Sequence, residues 1–590
     1  MLSRRDLLHT GAALSALPLA GAAAAPAAGA AAPPAAATPP PPFRPADMGL
    51  RPPPGVSAGD FAAALQQFEA VVGREWVFTR AEDVALYKDA YSPFWGEQEE
   101  RVASAAVAPD SVEQVQALVR IANHYRIPLY TISTGRNLGY GGSAPNYSGS
   151  VVLDLKRMNR VLEVNEANAY ALVEPGVSYF DLYRYIQERG LKLWLDVPDP
   201  GWGSPVGNSL DRGGGYTMPE FRFHFDAHCG MEIVLADGTL LRTGMGALPG
   251  AKTWQQYKSG FGPWIDGMFS QSNFGVITKM GFWLMPEPEA YLTGSVLVPR
   301  HQDLIALIET LNYLENSRIT NGMSELASPV MGLPALDNAA PMAPELAALV
   351  SRAIDGDSAG LDAYAAQKGL AAWSCTLKFY GPAKVLPLQW EYCQQRFAAI
   401  PGARFSDGPM LKMPLTAQQQ STVHKPEFGL PALSVFTMGA RNENNPNPTS
   451  GHQWFSPIIP RSGEAVFEAN RVFAQAGRDY GLPVPPFSIP YCFWERSFLC
   501  LFGFPVVHDP ERNRSTRAAF AQLVRIAAEH GWGEYRTAPA YQDLIMSTYG
   551  FNNHALLRFH ERIKDAVDPN GILSPGRYGI WPKHLRGTRT

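Results

Sequence analysis

Directly after an apolar run at residues 127–132, the chain reads S-T-G-R-N-L-G-Y-G-G over residues 133–142. A glycine-rich turn behind a buried strand constrains the fold strongly. Glycine lets successive backbone N–H groups point into one concavity, which can cradle an anion without relying on charge alone. The spacing is not the G-x-G-x-x-G nucleotide fingerprint, and the pattern by itself also fits an ordinary glycine loop. Around it, from about residue 58, short apolar runs alternate with helical periodicity. Residues 112–124 have helical spacing, 127–132 and 151–155 read as buried strands, 171–173 as a strand ending in Glu174-Pro-Gly, and 179–188 as a helix. This mixture predicts an α+β fold with layered sheets. Farther on, residues 302–316 and 464–480 read as helices in a less glycine-rich stretch that opens at Pro286 and Pro288. No internal repeat is evident.

At 590 residues the chain can bury more than one core, so two or three folding units are expected. A net charge of −4 carries no electrostatic footprint for nucleic acid. No run approaches a membrane span outside the small-residue N-terminus. The five cysteines show no C-x-x-C spacing, and their odd number argues against a disulfide framework, leaving packing as their role. Residues 1–31 read as a secretion signal: the twin arginines Arg4 and Arg5, an Ala/Leu-rich stretch, then A-x-A-like sites. The twin-arginine route exports folded proteins, which suits a protein that loads a bulky cofactor first, and it places the mature protein in the periplasm. Residues 32–57 form an Ala/Pro-rich linker.

Near the C-terminus the segment W-G-E-Y-R-T (532–537) sets Tyr535 beside Arg536. A neutral hydroxyl donor next to a permanently charged guanidinium can hold a phenolate and favour its ionised form. That segment, together with A-V-D-P-N-G-I-L-S-P-G-R-Y-G-I-W-P (566–582), resembles the vanillyl-alcohol oxidase and p-cresol methylhydroxylase family of flavoproteins. The likeness extends through T-I-S-T-G-R-N-L-G-Y-G-G (131–142), L-W-L-D-V-P-D-P-G-W-G-S (193–204), L-R-T-G-M-G-A-L-P-G (241–250) and residues 261–280.

The resemblance implies an FAD-binding domain in two separated parts, residues 58–287 and 532–590, with an inserted α+β cap domain at 288–531. It implies FAD as cofactor, with Gly135, Arg136, Asn137, Gly139, Gly141 and Gly142 at the diphosphate. Ser204 and Asn208 stand in a second such loop, and Gly275 and Ile277 beside the adenine and ribityl parts. It places His452, in G-H-Q-W-F-S-P (451–457), at the position covalently bonded to the flavin, since a neutral imidazole nitrogen is nucleophilic. Asp199 is placed near flavin N5, where a carboxyl takes part in proton transfer; by composition alone it is a turn aspartate before Pro-Gly.

The implied activity is oxidation of para-substituted phenols, bound as phenolates by Tyr535 and Arg536, through a p-quinone methide. A cytochrome c subunit is the expected electron acceptor, O2 with release of hydrogen peroxide the alternative, and a homo-oligomer the expected state. An FAD enzyme of sugars or lactones, and a non-catalytic flavin- or phenol-binding protein, are the competing readings. The Tyr535–Arg536 pair argues against the first, and the retained Asp199 and His452 against the second. The chain departs from the family pattern in places. A second phenolate-binding tyrosine aligns with Glu100, leaving Tyr87 and Tyr91 as nearby substitutes. An arginine at flavin N1–C2=O aligns with Val423, leaving His424 or Lys425 to bring the positive charge. The paired histidines of the cap correspond to Ser497 and Phe498.

Overall fold

Two helices near the start of the described residues are specified locally. The computed structural model describes residues 52–333, 342–433, 450–482, 484–485 and 487–588. Helix α1 (Ala58–Val72) is capped by Ser57, whose hydroxyl accepts from the Asp60 amide at 3.1 Å; Ser111 caps α2 (Val112–Tyr125) by accepting from Gln114 at 3.3 Å. Each carries an apolar stripe, with Phe61, Leu65 and Phe68 on one and Val115, Leu118 and Val119 on the other all buried. The two pack on each other, α1 also touching the first sheet and α2 the second.

The first sheet contains β1 (Val77–Phe78), β2 (Ala105–Val107), β3 (Leu129–Ile132) and β4 (Val151–Asp154), in the order β1-β2-β4-β3. Strands β2 and β3 run parallel to β4, and their residues are almost wholly buried, as parallel strands require. Strand β3 starts two residues later than the apolar run predicts. The Ile127 amide donates to the Ala122 carbonyl at 2.8 Å, closing α2, and Pro128 has no amide to give a ladder. The second sheet is antiparallel, in the order β5 (Val161–Asn165), β6 (Tyr170–Val173), β10 (Val276–Trp283), β8 (His228–Val234), β9 (Leu240–Arg242). Strand β7 (Leu193–Trp194) pairs with β11 (Met285–Pro286). Helix α3 (Tyr179–Glu188) begins in a capping box of Ser178 and Asp181, and the short α4 (Pro205–Leu210) is capped by Ser204.

A third sheet, antiparallel, orders β13 (Glu325–Ala327), β14 (Trp373–Gly381), β12 (Ala290–Val298) and β15 (Arg404–Lys412). Helices α5 (Leu304–Asn316) and α6 (Gly463–Tyr480) pack on each other in one core with it. The expected start of α5 at residue 302 is a 3₁₀ turn, His301–Asp303. Two small ladders follow, β16 (Ser450–Phe455) with β19 (Phe502–Val507) and β17 (Ile458–Pro460) with β18 (Ser497–Leu499), before α7 (Pro510–Glu529). The architecture is α+β, as the alternation of patterns predicts.

The last fifty residues return to the first two sheets. The Leu129 amide donates to the Ile572 carbonyl and the Ser574 amide to the Leu129 carbonyl, both at 2.7 Å, extending the β3 edge. Asn146 donates to Gln542 at 2.7 Å, and Asn273 to the carbonyls of Ser574 and Ile580 at 3.0 and 2.9 Å. At the end of α8 (Phe551–Val567) Lys564 is fully buried, its ammonium on Asp568 at 2.7 Å and on the carbonyls of Asn273 and Leu573 at 2.8 and 2.6 Å. One cation thus ties three backbone segments together. Residues 1–31, read from the sequence as a secretion signal, and most of the linker lie outside the described residues. Among the described residues no helix is long and apolar enough to cross a membrane, and all five cysteines are free and buried.

Removing half of a buried, hydrogen-bonded ion pair costs about 3–5 kcal/mol, because the remaining charge stays in the interior. Lys564→Met keeps the side-chain bulk and abandons Asp568. Its urea midpoint is expected to fall by the equivalent of that amount. An unchanged midpoint would show that the pair does not fasten the C-terminal segment.

Candidate active site

A cavity of about 470 Å³ opens where the glycine-rich loop after β3, the loop before α4, strand β10, strand β16 and the segment around Tyr535 converge. Of the cofactor residues expected from the sequence, Gly135, Arg136, Asn137, Gly142, Ser204, Asn208, Gly275, Ile277 and His452 line it, as do Asp199, Tyr535 and Arg536. Gly139 and Gly141 do not. Their φ angles are +81° and +105°, in the region that favours glycine; a Cβ added at Gly141 would lie 2.4 Å from the Pro539 ring, and one at Gly139 a tight 3.2 Å from His452 and Trp454. These glycines permit close packing of the loop against β16 and the Tyr535 segment rather than facing the cavity.

The side chains of the loop are partly committed to the protein itself. Asn137 donates to Asp211 at 2.6 Å and accepts from the Arg536 guanidinium at 2.6 Å. Ser204 donates to the Pro175 carbonyl at 2.7 Å, Asn208 contacts the His224 imidazole, and Arg136 stacks over Trp202 at 4.8 Å. Asp211 also accepts from Arg577 at 2.8 Å and from the Tyr578 hydroxyl, and Arg577 donates to Tyr130 at 2.7 Å. Burial opposes the charge on Asp211, but Arg577 and Arg536 outweigh it and hold the carboxyl below its ordinary range.

Arg536 is 9% exposed, and its guanidinium lies 3.9 Å from the Tyr140 ring centroid. Burial works against its charge, yet Tyr140, Tyr535 and Asp211 together raise its pKa. Its buried Nε has no hydrogen-bond partner among the described residues, which leaves donor capacity beside the cavity. Tyr535 is half-buried, packs edge-on to Trp494 at 5.1 Å, and is fixed by Gln271, which donates to its carbonyl at 2.8 Å. Burial pushes the Tyr535 phenol up and Arg536 opposes that. Asp199 enters the cavity at a cis Asp199–Pro200 bond. His452 lies on β16 between Tyr91 and Trp454, at ring distances of 5.2 and 4.5 Å, and burial pushes its imidazole down to about 4, so it is neutral at pH 7.

Of the substitutes weighed for family positions, Glu100 pairs with Lys88 at 3.2 Å and Tyr87 donates to Asp154 at 2.8 Å, both outside the cavity lining. Tyr91 packs on His452. His424, not Lys425, lines the cavity, its Nδ1 2.9 Å from Glu427. In place of the cap's paired histidines, Phe498 is buried in the core while Leu499 and Leu501 reach the cavity. Sequence reading missed Tyr140, Asp211, Arg577, Tyr578 and the Tyr491–Phe493–Trp494 wall. Tyr140 and the Arg577–Tyr578 pair stand inside motifs already singled out, so the signal was present but unassigned.

Residues 103–244 match the FAD binding domain family. The chain is 34% identical over 535 residues to the 4-cresol dehydrogenase [hydroxylating] flavoprotein subunit of Pseudomonas putida, covering 90% of this chain and 97% of that protein. The chain belongs to the vanillyl-alcohol oxidase and p-cresol methylhydroxylase family. Among solved structures, 4-ethylphenol oxidase from Gulosibacter chungangensis in its isoeugenol complex superposes with a TM-score of 0.73 at 36% identity, over 91% of this chain and 100% of that one. p-Cresol methylhydroxylase with substrate bound gives 0.74 at 31% identity, over 90% and 99%. This member of the family is therefore an FAD-dependent oxidoreductase with the family's flavin-binding fold. The donor set fits the cofactor: the cavity carries hydroxyl and amide side chains and the guanidinium groups of Arg136, Arg536 and Arg577, which suit an anionic diphosphate, with Ile277, Phe269 and Leu155 as apolar wall for rings.

Asp211 joins the loop to the C-terminal segment, so its loss should loosen the cofactor cradle. Asp211→Ala leaves Arg577 and Asn137 without their acceptor, at a cost of about 3–5 kcal/mol. The expected outcome is a lowered melting temperature and less FAD retained per polypeptide, read from the absorbance of the purified protein; full retention would contradict the cradle assignment.

Proposed function

We propose that the protein oxidises para-substituted phenols, 4-alkylphenols and lignin-derived phenols among them, at the benzylic carbon. The observation that carries this reading is the convergence of Tyr535, Arg536, Asp199 and His452 on one cavity. Similarity to 4-cresol dehydrogenase and 4-ethylphenol oxidase supports the same substrate class. Tyr535 and Arg536 grip the phenol oxygen and favour its anion, since a fixed guanidinium in a dry site stabilises phenolate far more than water-exposed charge does. Electron push from that oxygen reaches the ring's ortho and para carbons only. The flavin, when bound, supplies the hydride acceptor at N5. Loss of the benzylic hydride leaves a p-quinone methide that takes up water to give an alcohol; a benzylic alcohol gives an aldehyde instead. The Asp199 carboxyl handles the proton on the same cavity, and the aromatic wall of Tyr491, Phe493 and Trp494 excludes water.

His452 is the residue proposed to tether the cofactor covalently. Its neutral imidazole is the nucleophilic form. After acid or SDS denaturation the yellow chromophore is expected to stay with the polypeptide in the wild type and to be lost in His452→Ala. Colour passing into the supernatant from the wild type would refute the tether and leave FAD binding intact.

The electrons are proposed to pass to cytochrome c in the periplasm. The twin arginines of the N-terminus support export, and the 4-cresol dehydrogenase relative is a flavoprotein subunit. O2 is the second reading, favoured by the likeness to a 4-ethylphenol oxidase. One experiment tests substrate and acceptor together. Under anaerobic conditions para-alkylphenols are expected to bleach the flavin, while meta isomers and O-methyl ethers do not, and Arg536→Ala should bleach slower by at least a hundredfold. Bleaching by meta isomers, or an unaffected Arg536→Ala, would end the phenolate reading. Admitting air then decides the acceptor: recovery at the turnover rate makes this an exported oxidase.

A further inference from the structure

We infer that a buried pair, Asp196 and His224, sets the direction of the Asn208 amide, so that its NH2 group and not its carbonyl is offered to the cofactor. Asn208 lies on α4 and lines the cavity, while Asp196 and His224 stand behind it, 8% and 4% exposed. The His224 ring bridges the two. Its Nε2 is 2.7 Å from the Asp196 carboxylate, and its Nδ1 contacts the Asn208 side-chain oxygen. The Asn208 side-chain nitrogen has no hydrogen-bond partner among the described residues, which leaves its two protons for a ligand.

An imidazole that meets an acceptor at each ring nitrogen carries a proton on both. The Asp196 carboxylate accepts at Nε2 through one oxygen. Its other oxygen is taken by Thr217, whose amide donates at 2.7 Å and whose hydroxyl donates as well. At Nδ1 the neighbours are the Asn208 oxygen and the Tyr179 hydroxyl, 3.2 Å away at the start of α3. Burial raises the Tyr179 phenol well above its ordinary value, so it is neutral and able to accept. Asp196 therefore supplies the countercharge, and the ring passes it on as an N–H aimed at Asn208. With a proton on Nδ1 the Asn208 carbonyl must face the ring, and the NH2 turns to the cavity. A bare Nδ1 would demand the opposite.

The run R-G-G-G-Y (212–216) is built around this chain of bonds. Its glycines pair with residues 222–224: the Gly215 amide donates to the Arg222 carbonyl at 2.9 Å, and the His224 amide to the Gly213 carbonyl at 3.2 Å. This short ladder presents the His224 ring. A Cβ at Gly213 would overlap the Asn208 amide, and one at Gly215 the Asp196 carboxyl, so the backbone lies directly on the three side chains. Ser209, next to Asn208, donates to the His224 carbonyl at 3.0 Å and holds the helix to the ladder. On the other side of Asn208, a side chain at Gly207 would strike Ser133 of the first glycine-rich loop. The amide thus stands where the two loops meet. FAD brings acceptors of one kind there, diphosphate oxygens and flavin-ring carbonyls.

Neutron diffraction on crystals of the perdeuterated, FAD-loaded enzyme reads the protons directly. Expected are deuterons on both ring nitrogens of His224 and an Asn208 amide whose deuterons point to the cofactor. A bare Nδ1, or the Asn208 carbonyl turned to the cofactor, would overturn the inference. The positioning role is read from FAD dissociation constants, measured by flavin fluorescence in a His452→Ala background so that the cofactor exchanges freely. Asn208→Leu is expected to weaken FAD about tenfold, the worth of one hydrogen bond, and His224→Phe to match it. In the double variant the His224→Phe loss should vanish, because His224 acts through Asn208. Additive losses would make His224 a packing residue only and end the positioning role. Phosphorus NMR of the bound FAD then separates the two acceptors. Asn208→Leu moves the diphosphate signals if the amide donates there, and leaves them in place with a shifted flavin absorbance if it donates to the ring.

Discussion

The structure around the cavity depends on one buried carboxylate, Asp211. It accepts from Asn137 of the glycine-rich loop and from Arg577 and Tyr578 of the C-terminal segment, residues that lie 74, 366 and 367 positions away in the chain. Isolated in the interior, such an anion would cost several kcal/mol; with a guanidinium and two further donors on it, the cost is offset and the geometry becomes stiff. Because Asn137 passes its other amide atom to Arg536, the same carboxylate fixes the cofactor loop and the proposed phenol-binding arginine at once. Cradle and substrate end are one hydrogen-bonded unit.

That unit explains why the two ends of the chain must meet. The β3 edge is completed by Ile572 and Ser574, Asn273 is satisfied by the carbonyls of Ser574 and Ile580, and Lys564 links Asn273 to Leu573. These buried polar groups of the first part find their partners in the second. The segment between them contributes a third sheet and most of an aromatic core, and lends the cavity β16 with His452 and the wall of Tyr491, Phe493 and Trp494.

What was legible in the sequence follows the range of the interactions. Helix α2 could be read because Ser111, Arg126 and the spacing of Val115, Leu118 and Val119 act within one or two turns. Helix α3 matched its expected bounds for the same reason, with its capping box three residues wide. Strand β3 began late because a helix end claimed the Ile127 amide, a local competition that periodicity does not show. The placement of Tyr535, Arg536, Asp199 and His452 on one cavity was legible only through resemblance, since no local rule joins positions hundreds of residues apart. Gly139 and Gly141 show the limit from the other side. Read as phosphate-facing, they serve close approach to His452 and Pro539, and the residue between them went unread.

The electrostatics of the cavity then follow from where burial is allowed to act. Desolvation raises the phenols of Tyr140 and Tyr535 and the carboxyl of Glu534, favouring the protonated form of each. It lowers His452, which stays neutral. Arg536 and Arg577 resist, because the tyrosines and Asp211 around them favour each cation more than burial disfavours it, and the two guanidinium groups in turn hold Asp211 ionised. The result, at the Tyr535 end, is a buried guanidinium beside two tyrosine hydroxyls. A neutral ligand gains little from such a charge, while an ionised phenol gains a full ion pair and its hydrogen bonds. Selectivity for a group that ionises on binding is therefore built into the pattern of pKa shifts, and the proposed chemistry begins with that ionisation.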